Sequence, residues 1–500
     1  MRHNKRCLRL IIIALLLGTA LSGAVFAEAP PHEPPPGSAW HTPSSLIIGV
    51  PYEDAGAIQN AGVINLLAAR PGAGLMGYMN TYFAQDNQSG TPEQNDFYGK
   101  AVAAGDFDGN GSYDIAIGVP GEAGLNVIYR FSDGSRAQVY YEGADTNCIF
   151  GDSLIAGDFD GDGIDDLAVG APGCHSEAGS VFVFWGDPEG GLWQDRYTQF
   201  RGSNREHFGA ALAREDFDAN GIYDLVIGSP NADTGAGFLT NRSGKVTILY
   251  GPLTGSLLHK QEWTQSATGQ GVSEVGDEFG AALSTGDFDG NGRPDLAIGV
   301  PGEDQGNIQD TGAFNILYNA GTSLTTANAE VHFIYEARAN DRAGAALAAG
   351  YFNGDANEDL AVGVPYRDYS ESNPAHENTG QVTVLFGTRS SGLGGSAIGV
   401  VSNPQYKLLG FSLTAGDFNG DDFDDLVMGI PEFSSSGHVK DGAIKISYGA
   451  AYGFEKSVVL TQQDLAQVAA EDDDYFGFAL AELPASHPEY YSQFTPLIFR

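Results

Sequence analysis

Residues 106–114 read DFDGNGSYD, so oxygen-bearing side chains stand at the first, third, fifth and ninth positions of a turn broken by glycines. The chemistry open to such a turn is coordination of a hard cation. Calcium takes six to eight oxygens at about 2.3–2.6 Å, and a short loop offering four side chains and a backbone carbonyl can encircle one ion. Without a cation, carboxylates held so close together repel one another and resist ionising together.

The arrangement recurs. Residues 158–166 are DFDGDGIDD, 216–224 DFDANGIYD, 287–295 DFDGNGRPD, 351–359 YFNGDANED and 417–425 DFNGDDFDD. Candidate metal ligands are therefore Asp106, Asp108, Asn110 and Asp114; Asp158, Asp160, Asp162 and Asp166; Asp216, Asp218, Asn220 and Asp224; and Asp287, Asp289, Asn291 and Asp295. The sixth loop adds Asp417, Asn419, Asp421 and Asp425, although Asp422 replaces the glycine of its bend. The fifth loop is expected to hold no metal, because Tyr351 removes its first ligand and Ala356 stands where a left-handed residue is wanted. About four or five calcium ions are expected, in a structural role, since every ligand is committed to its ion. Magnesium would also meet carboxylates, but it favours a stricter octahedron with retained waters. An EF-hand would need a Glu at the twelfth position, and Ile117 stands there.

The elements that position these loops repeat with them. A glycine precedes each loop, at Gly99, Gly151, Gly209, Gly280, Gly344 and Gly410, and a G-x-P signal follows each at Gly118, Gly170, Gly228, Gly299, Gly363 and Gly429. The runs between are short, apolar and bounded by glycine or proline, which predicts buried strands rather than helices. The spacing of the units fits a four-stranded propeller blade. Residues 46–51, LIIGVP, carry the second-strand signature without an acidic loop, and residues 476–483, FGFALAEL, carry the first-strand signature alone. The two chain ends are thus expected to build one composite blade, closing a ring of seven and removing its exposed edges.

These units resemble FG-GAP repeats, as in the N-terminal seven-bladed β-propeller of integrin alpha subunits, over nearly all of residues 45–484. The resemblance implies an all-β, calcium-binding propeller whose opposite face meets varied partners. The fold class expected is all-β, a seven-bladed β-propeller of FG-GAP repeats closed by both chain ends.

Composition bounds the rest. A formal charge of −39, with 64 acidic side chains against 25 Lys and Arg, argues against a nucleic-acid partner. Residues 1–27 read as a signal peptide, with Arg2, Lys5, Arg6 and Arg9 ahead of an apolar run and a small-residue site ending at Ala27. Residues 28–44 read as a proline-rich linker and 45–500 as the propeller. The mature chain shows no transmembrane segment, and the expected location is secreted, periplasmic or at the cell surface. Cys148 and Cys174 flank the second acidic loop, either bridged or as two free thiols.

For catalysis, the chain has no G-x-S-x-G elbow, no H-E-x-x-H and no phosphate-binding glycine loop, and His207, His259, His332 and His376 are scattered. The loops after G-x-P are long and polar, and residues 52–62 and 302–312 are near-copies in which Glu53-Asp54 matches Glu303-Asp304. Repeat ancestry accounts for that match as readily as a common ligand does. The function expected is a calcium-binding adhesion or protein/glycan-binding module, with no catalytic residues assigned. Its rivals are an extracellular propeller hydrolase or lyase acting on polysaccharide or phosphodiester, and a scaffolding subunit.

Overall fold

The computed structural model describes residues 42–485 except 86–90, 131–135, 143–147, 204, 235–241, 255–258, 270, 322, 327, 370–376, 390, 395–397, 401–402, 436 and 466–469. The signal peptide, most of the linker and His376 therefore lie outside the described residues.

Among the described residues, seven four-stranded antiparallel sheets follow one another, and helix is confined to a few single turns. Blade one runs from Val102–Gly105 to Arg136–Glu142, blade two from Ser153–Gly157 to Tyr197–Arg201, and blade three from Ala211–Glu215 to Lys260–Trp263. Blade four spans Leu283–Gly286 to Glu330–His332, blade five Ala346–Gly350 to Ile398–Val400, and blade six Leu413–Gly416 to Gly453–Thr461. Blade seven is the composite. Its inner strand Ala479–Leu483 pairs with Ser45–Val50 in the register Ser45↔Leu483 to Gly49↔Ala479, and the chain continues outward through Val63–Arg70 and Gly74–Phe83. The molecule is a seven-bladed β-propeller closed by both chain ends.

The repeated glycines hold the ring together. The glycine of each G-x-P lies so near the carbonyl oxygen of the next blade's opening glycine that a methyl group would collide with it, as between Gly118 and Gly151, Gly299 and Gly344, and Gly429 and Gly477. Each opening glycine also sits at positive φ, near +89° at Gly99 and Gly151, which a side chain rarely tolerates. Its N–H donates to the G-x-P glycine carbonyl of its own blade, as from Gly99 to Gly118 at 3.1 Å and Gly280 to Gly299 at 3.0 Å.

Apolar clusters fill the spaces between neighbouring blades, one joining blades one and two and another blades three and four. The phenylalanine at the second position of every acidic loop, Phe107, Phe159, Phe217, Phe288, Phe352 and Phe418, is fully buried there. Each loop is thereby anchored by its own core residue. Because strands alternate in direction, the acidic loops gather at one end of the ring and the G-x-P loops, with the links between blades, at the other.

Candidate metal centres

Four of the acidic loops bring three carboxylates together. In the groups Asp106–Asp108–Asp114, Asp158–Asp160–Asp166, Asp216–Asp218–Asp224 and Asp287–Asp289–Asp295, one oxygen of each member lies within 4.8 Å of the others. The backbone sets this convergence. The first aspartate accepts N–H bonds from the fifth and sixth residues, in the first loop Asn110 at 3.0 Å and Gly111 at 2.8 Å. The third accepts from the fifth, Asp108 from Asn110 at 3.2 Å, and the fifth accepts from the seventh, Asn110 from Ser112 at 2.8 Å. The sixth-position glycines Gly111, Gly163, Gly221 and Gly292 all have positive φ, which turns the chain back on itself.

The ninth aspartate is the buried floor of each loop. Asp166 accepts from Phe159 at 2.8 Å and from Gly186 at 2.9 Å, and Asp114, Asp224 and Asp295 repeat the pattern. Burial pushes Asp114, Asp166 and Asp295 up to about 8 and Asp224 up to about 7, and the neighbouring loop carboxylates add to the rise. Two or more negative charges beside such a floor call for a counter-charge. A hard divalent cation fits this oxygen-only donor set.

The other two loops differ. The sixth follows the same plan, with Asp417 accepting from Asp421 and Asp422, and Asp422 itself takes the left-handed conformation at φ 72°. Its third position is Asn419, so it lacks the trio of carboxylates at the first, third and ninth positions. Asn419 Nδ2 donates to Asp421 at 3.1 Å while Asn419 Oδ1 is buried with no hydrogen-bond partner, an oxygen suited to a cation. The fifth loop keeps the lower bonds of the plan, Asp355 N–H donating to Asn353 and Asn357 N–H to Asp355, but loses the acceptor at its first position. Tyr351 offers that loop no carboxylate.

The loops are also chained to each other, through eighth-position residues that sequence reasoning did not single out. Asp165 accepts from the N–H of Asp106, Glu358 from Asp287 and Asp424 from Tyr351, each the first residue of the preceding loop. With Glu215, Glu482 and Arg214 they stand around the ring's axis, since Glu358 feels Glu215 and Glu482 feels Arg214 across the ring. Burial raises Glu358 and Glu482 to about 7. The inner strands that carry Arg214, Glu215 and Glu482 are half-buried beside fully buried second strands, as expected of a lined channel. Because Asp165, Glu358 and Asp424 are tied to backbone donors, their evident work is to fix the loops.

Cys148 and Cys174 form a disulfide. They join the residue three before the opening glycine of blade two to the residue two after its G-x-P proline.

Comparison with known proteins follows the same repeat. A family profile described as FG-GAP repeat matches residues 98–140, 150–184, 208–249, 279–314 and 409–446. Blade five, whose acidic loop lacks the first aspartate, is not among those stretches. Integrin alpha-PS2 of Drosophila melanogaster is 31% identical over 234 residues, covering 44% of this chain and 16% of its own length. Integrin alpha-5 of Xenopus laevis is 30% identical over 240 residues, 44% of this chain and 21% of its own. Phosphatidylinositol-glycan-specific phospholipase D of Homo sapiens is 31% identical over 209 residues, 40% of this chain and 24% of its own. The chain thus matches less than a quarter of the length of each of these relatives.

Proposed function

We propose, from the premise that the chain carries FG-GAP repeats in a propeller similar to that of integrin alpha chains, that it is an exported, calcium-stabilised module for binding an extracellular protein or glycan. The acidic loops hold calcium as structural ions at one end of the ring. The opposite end meets the partner.

One observation carries the binding assignment. Large apolar side chains stand exposed among polar loops at the G-x-P end, on the links and loops of blades three to six: Val272, Val275, Ile308, Tyr335, Tyr369 and Val439. Tyr335 is 85% exposed and Val275 73%. Aromatic and apolar anchors within a polar rim are what a binding surface needs, and long loops on a rigid ring can present them. The export signal at residues 1–27 and the disulfide both suit an oxidising compartment.

A hydrolase reading has one supporting observation, the acids and Arg214 around the axis. Their bonds to the loop backbones favour a structural role, and no residue is assigned to catalysis. The test is a screen of the mature chain against glycans and matrix proteins, with and without calcium. Calcium-dependent capture weakened tenfold or more by Tyr335→Ala with Val275→Asp supports the binding module. Turnover of a polysaccharide or phosphodiester abolished by Glu482→Gln, with no such capture, overturns it.

A further inference from the structure

Two positions meet at the G-x-P end of blades two, four, five and seven: the third residue before the opening glycine and the second residue after the proline. In blade two the pair is the Cys148–Cys174 disulfide. In blade five it is Asp341 with Arg367, a buried ion pair at 3.0 Å. In blade three the first position is Glu206, held by Lys245 at 3.1 Å. Blades four and seven place two acids there instead, Asp277 with Glu303 and Asp474 with Glu53, and all four are at least nine-tenths buried.

A glutamine completes each acid pair. Gln265 leaves the outer strand of blade three and donates through Nε2 to Glu303 at 2.6 Å, and Gln462 leaves blade six and donates to Glu53 at 2.5 Å. Both glutamines are fully buried, and Oε1 of each has no hydrogen-bond partner. A buried oxygen without a donor costs roughly 1–3 kcal/mol, yet the same unpartnered oxygen recurs in both blades, on a glutamine bonded to the glutamate of the acid pair. The arrangement belongs to the two near-identical loops 52–62 and 302–312. Asp54 accepts from Asn60 at 2.9 Å just as Asp304 accepts from Asp310 at 2.8 Å, and the carbonyls of Glu53 and Glu303 accept from Gly62 and Gly312.

We propose that Glu303, Asp277 and Gln265, and likewise Glu53, Asp474 and Gln462, each hold a hard divalent cation, calcium by preference, at the end of the ring opposite the acidic loops. Arg367 supplies at Asp341 the positive charge that a bound ion supplies at Asp277 and Asp474. Two carboxylates and an amide oxygen balance a divalent charge with hard donors only. The unpartnered glutamine oxygen finds its partner in the ion. Burial, and for Glu53 the facing Asp474, pushes Glu53 up to about 8 and Asp474 and Asp277 up to about 7, which is the cost that the ion relieves. Blade one repeats the trio as Glu122, Asp96 and Gln85, with Glu122 half-exposed. These sites tie the incoming link of a blade to its G-x-P loop, as the disulfide and the Arg367 ion pair tie other blades.

The alternative occupant is a proton shared by the two acids, and Glu303→Gln separates the two because glutamine imitates the protonated acid. Calcium and magnesium bound to the desalted, full-length mature chain are counted by elemental mass spectrometry for the parent, Glu303→Gln, Glu53→Gln and Glu303→Arg. Each single variant is expected to carry one ion fewer than the parent. Glu303→Arg, which copies the arrangement of blade five, is expected to lose that ion and keep the parent's melting temperature within a few degrees. An unchanged ion count in both glutamine variants, with stability at neutral pH equal to or above the parent's, overturns the proposal in favour of a shared proton. Asp160→Ala, counted in parallel, reads the acidic loops alone, so either set of sites can fail without the other.

Discussion

Replacing Asp160 and Asp166 separately distinguishes a ligand from a floor within one loop. Asp166 is buried and accepts two backbone bonds, from Phe159 and Gly186. Asp166→Ala strands two buried N–H groups at roughly 1–3 kcal/mol each, so about 2–6 kcal/mol is lost even in chelator, and the missing carboxylate adds to the loss in calcium. Asp160 accepts one bond, from Asp162 at 3.1 Å, and Asp162 N–H keeps a second acceptor in Asp158 at 3.2 Å. No buried donor is orphaned by Asp160→Ala. Removing that charge also relieves Asp166, whose carboxyl it helps to push up. In chelator the variant should therefore match or slightly exceed the parent's stability. In excess calcium the order reverses, because a ligand is missing: a tenfold weaker site costs about 1.4 kcal/mol once calcium exceeds both dissociation constants. Denaturant unfolding of both variants and the parent, in chelator and in calcium, reads all of these differences. If Asp160→Ala loses as much stability in chelator as in calcium, the loop carboxylates are not acting as ligands.

Other consequences are independent of that loop. Gly299→Ala drives a methyl group into the Gly344 carbonyl and should cost about 1–3 kcal/mol in calcium and in chelator alike, read by the same unfolding curves; an unchanged midpoint would contradict the close glycine contact between blades. Deleting residues 474–500 removes the inner strand of blade seven, and light scattering should show aggregation through the bared edge of Ser45–Val50, whereas a stable monomer would deny the composite closure. Glu482 is raised to about 7 in the folded chain against about 4.3 unfolded, so the stability it contributes is present below about pH 4 and is lost as pH rises through 7. Glu482→Gln should accordingly flatten the fall in melting temperature between pH 5 and pH 8, and an unaltered profile would place the titrating group elsewhere.

Much of the fold is legible because its constraints repeat. A glycine whose Cβ would strike the next blade recurs in every unit, and the left-handed sixth-position glycine recurs in the first four loops, because neither is replaced without strain. The composite blade is legible for the same reason, since residues 46–51 and 476–483 each hold the half that the other lacks. The fifth loop could be set apart from Tyr351 and Ala356, although its retention of the bonds through Asn353, Asp355 and Asn357 could not be read. The least legible feature is the pair of positions at the G-x-P end. Geometry demands only that the two residues meet, and blades answer with a disulfide, an ion pair or two acids, so the acid pair of blades one, four and seven is interrupted by the blades between them. The disulfide stayed undecided in the sequence for that reason, and the resemblance between residues 52–62 and 302–312 could not reveal the glutamine that each loop shares with the preceding blade. The axial acids were hidden too, because an eighth-position residue can be Tyr113, Asp165, Tyr223, Pro294, Glu358 or Asp424 within an otherwise constant loop.

The central claim is that calcium held in the acidic loops stabilises the ring. Its most direct test is the calcium content of the mature chain, measured by calorimetric titration after chelation, together with its melting temperature before and after calcium is restored. The account predicts at least four bound ions, one fewer for Asp160→Ala and none lost for Asn353→Ala, and a melting temperature that falls in chelator and recovers with calcium. A parent chain that binds no calcium, and melts at the same temperature with and without it, would contradict the account.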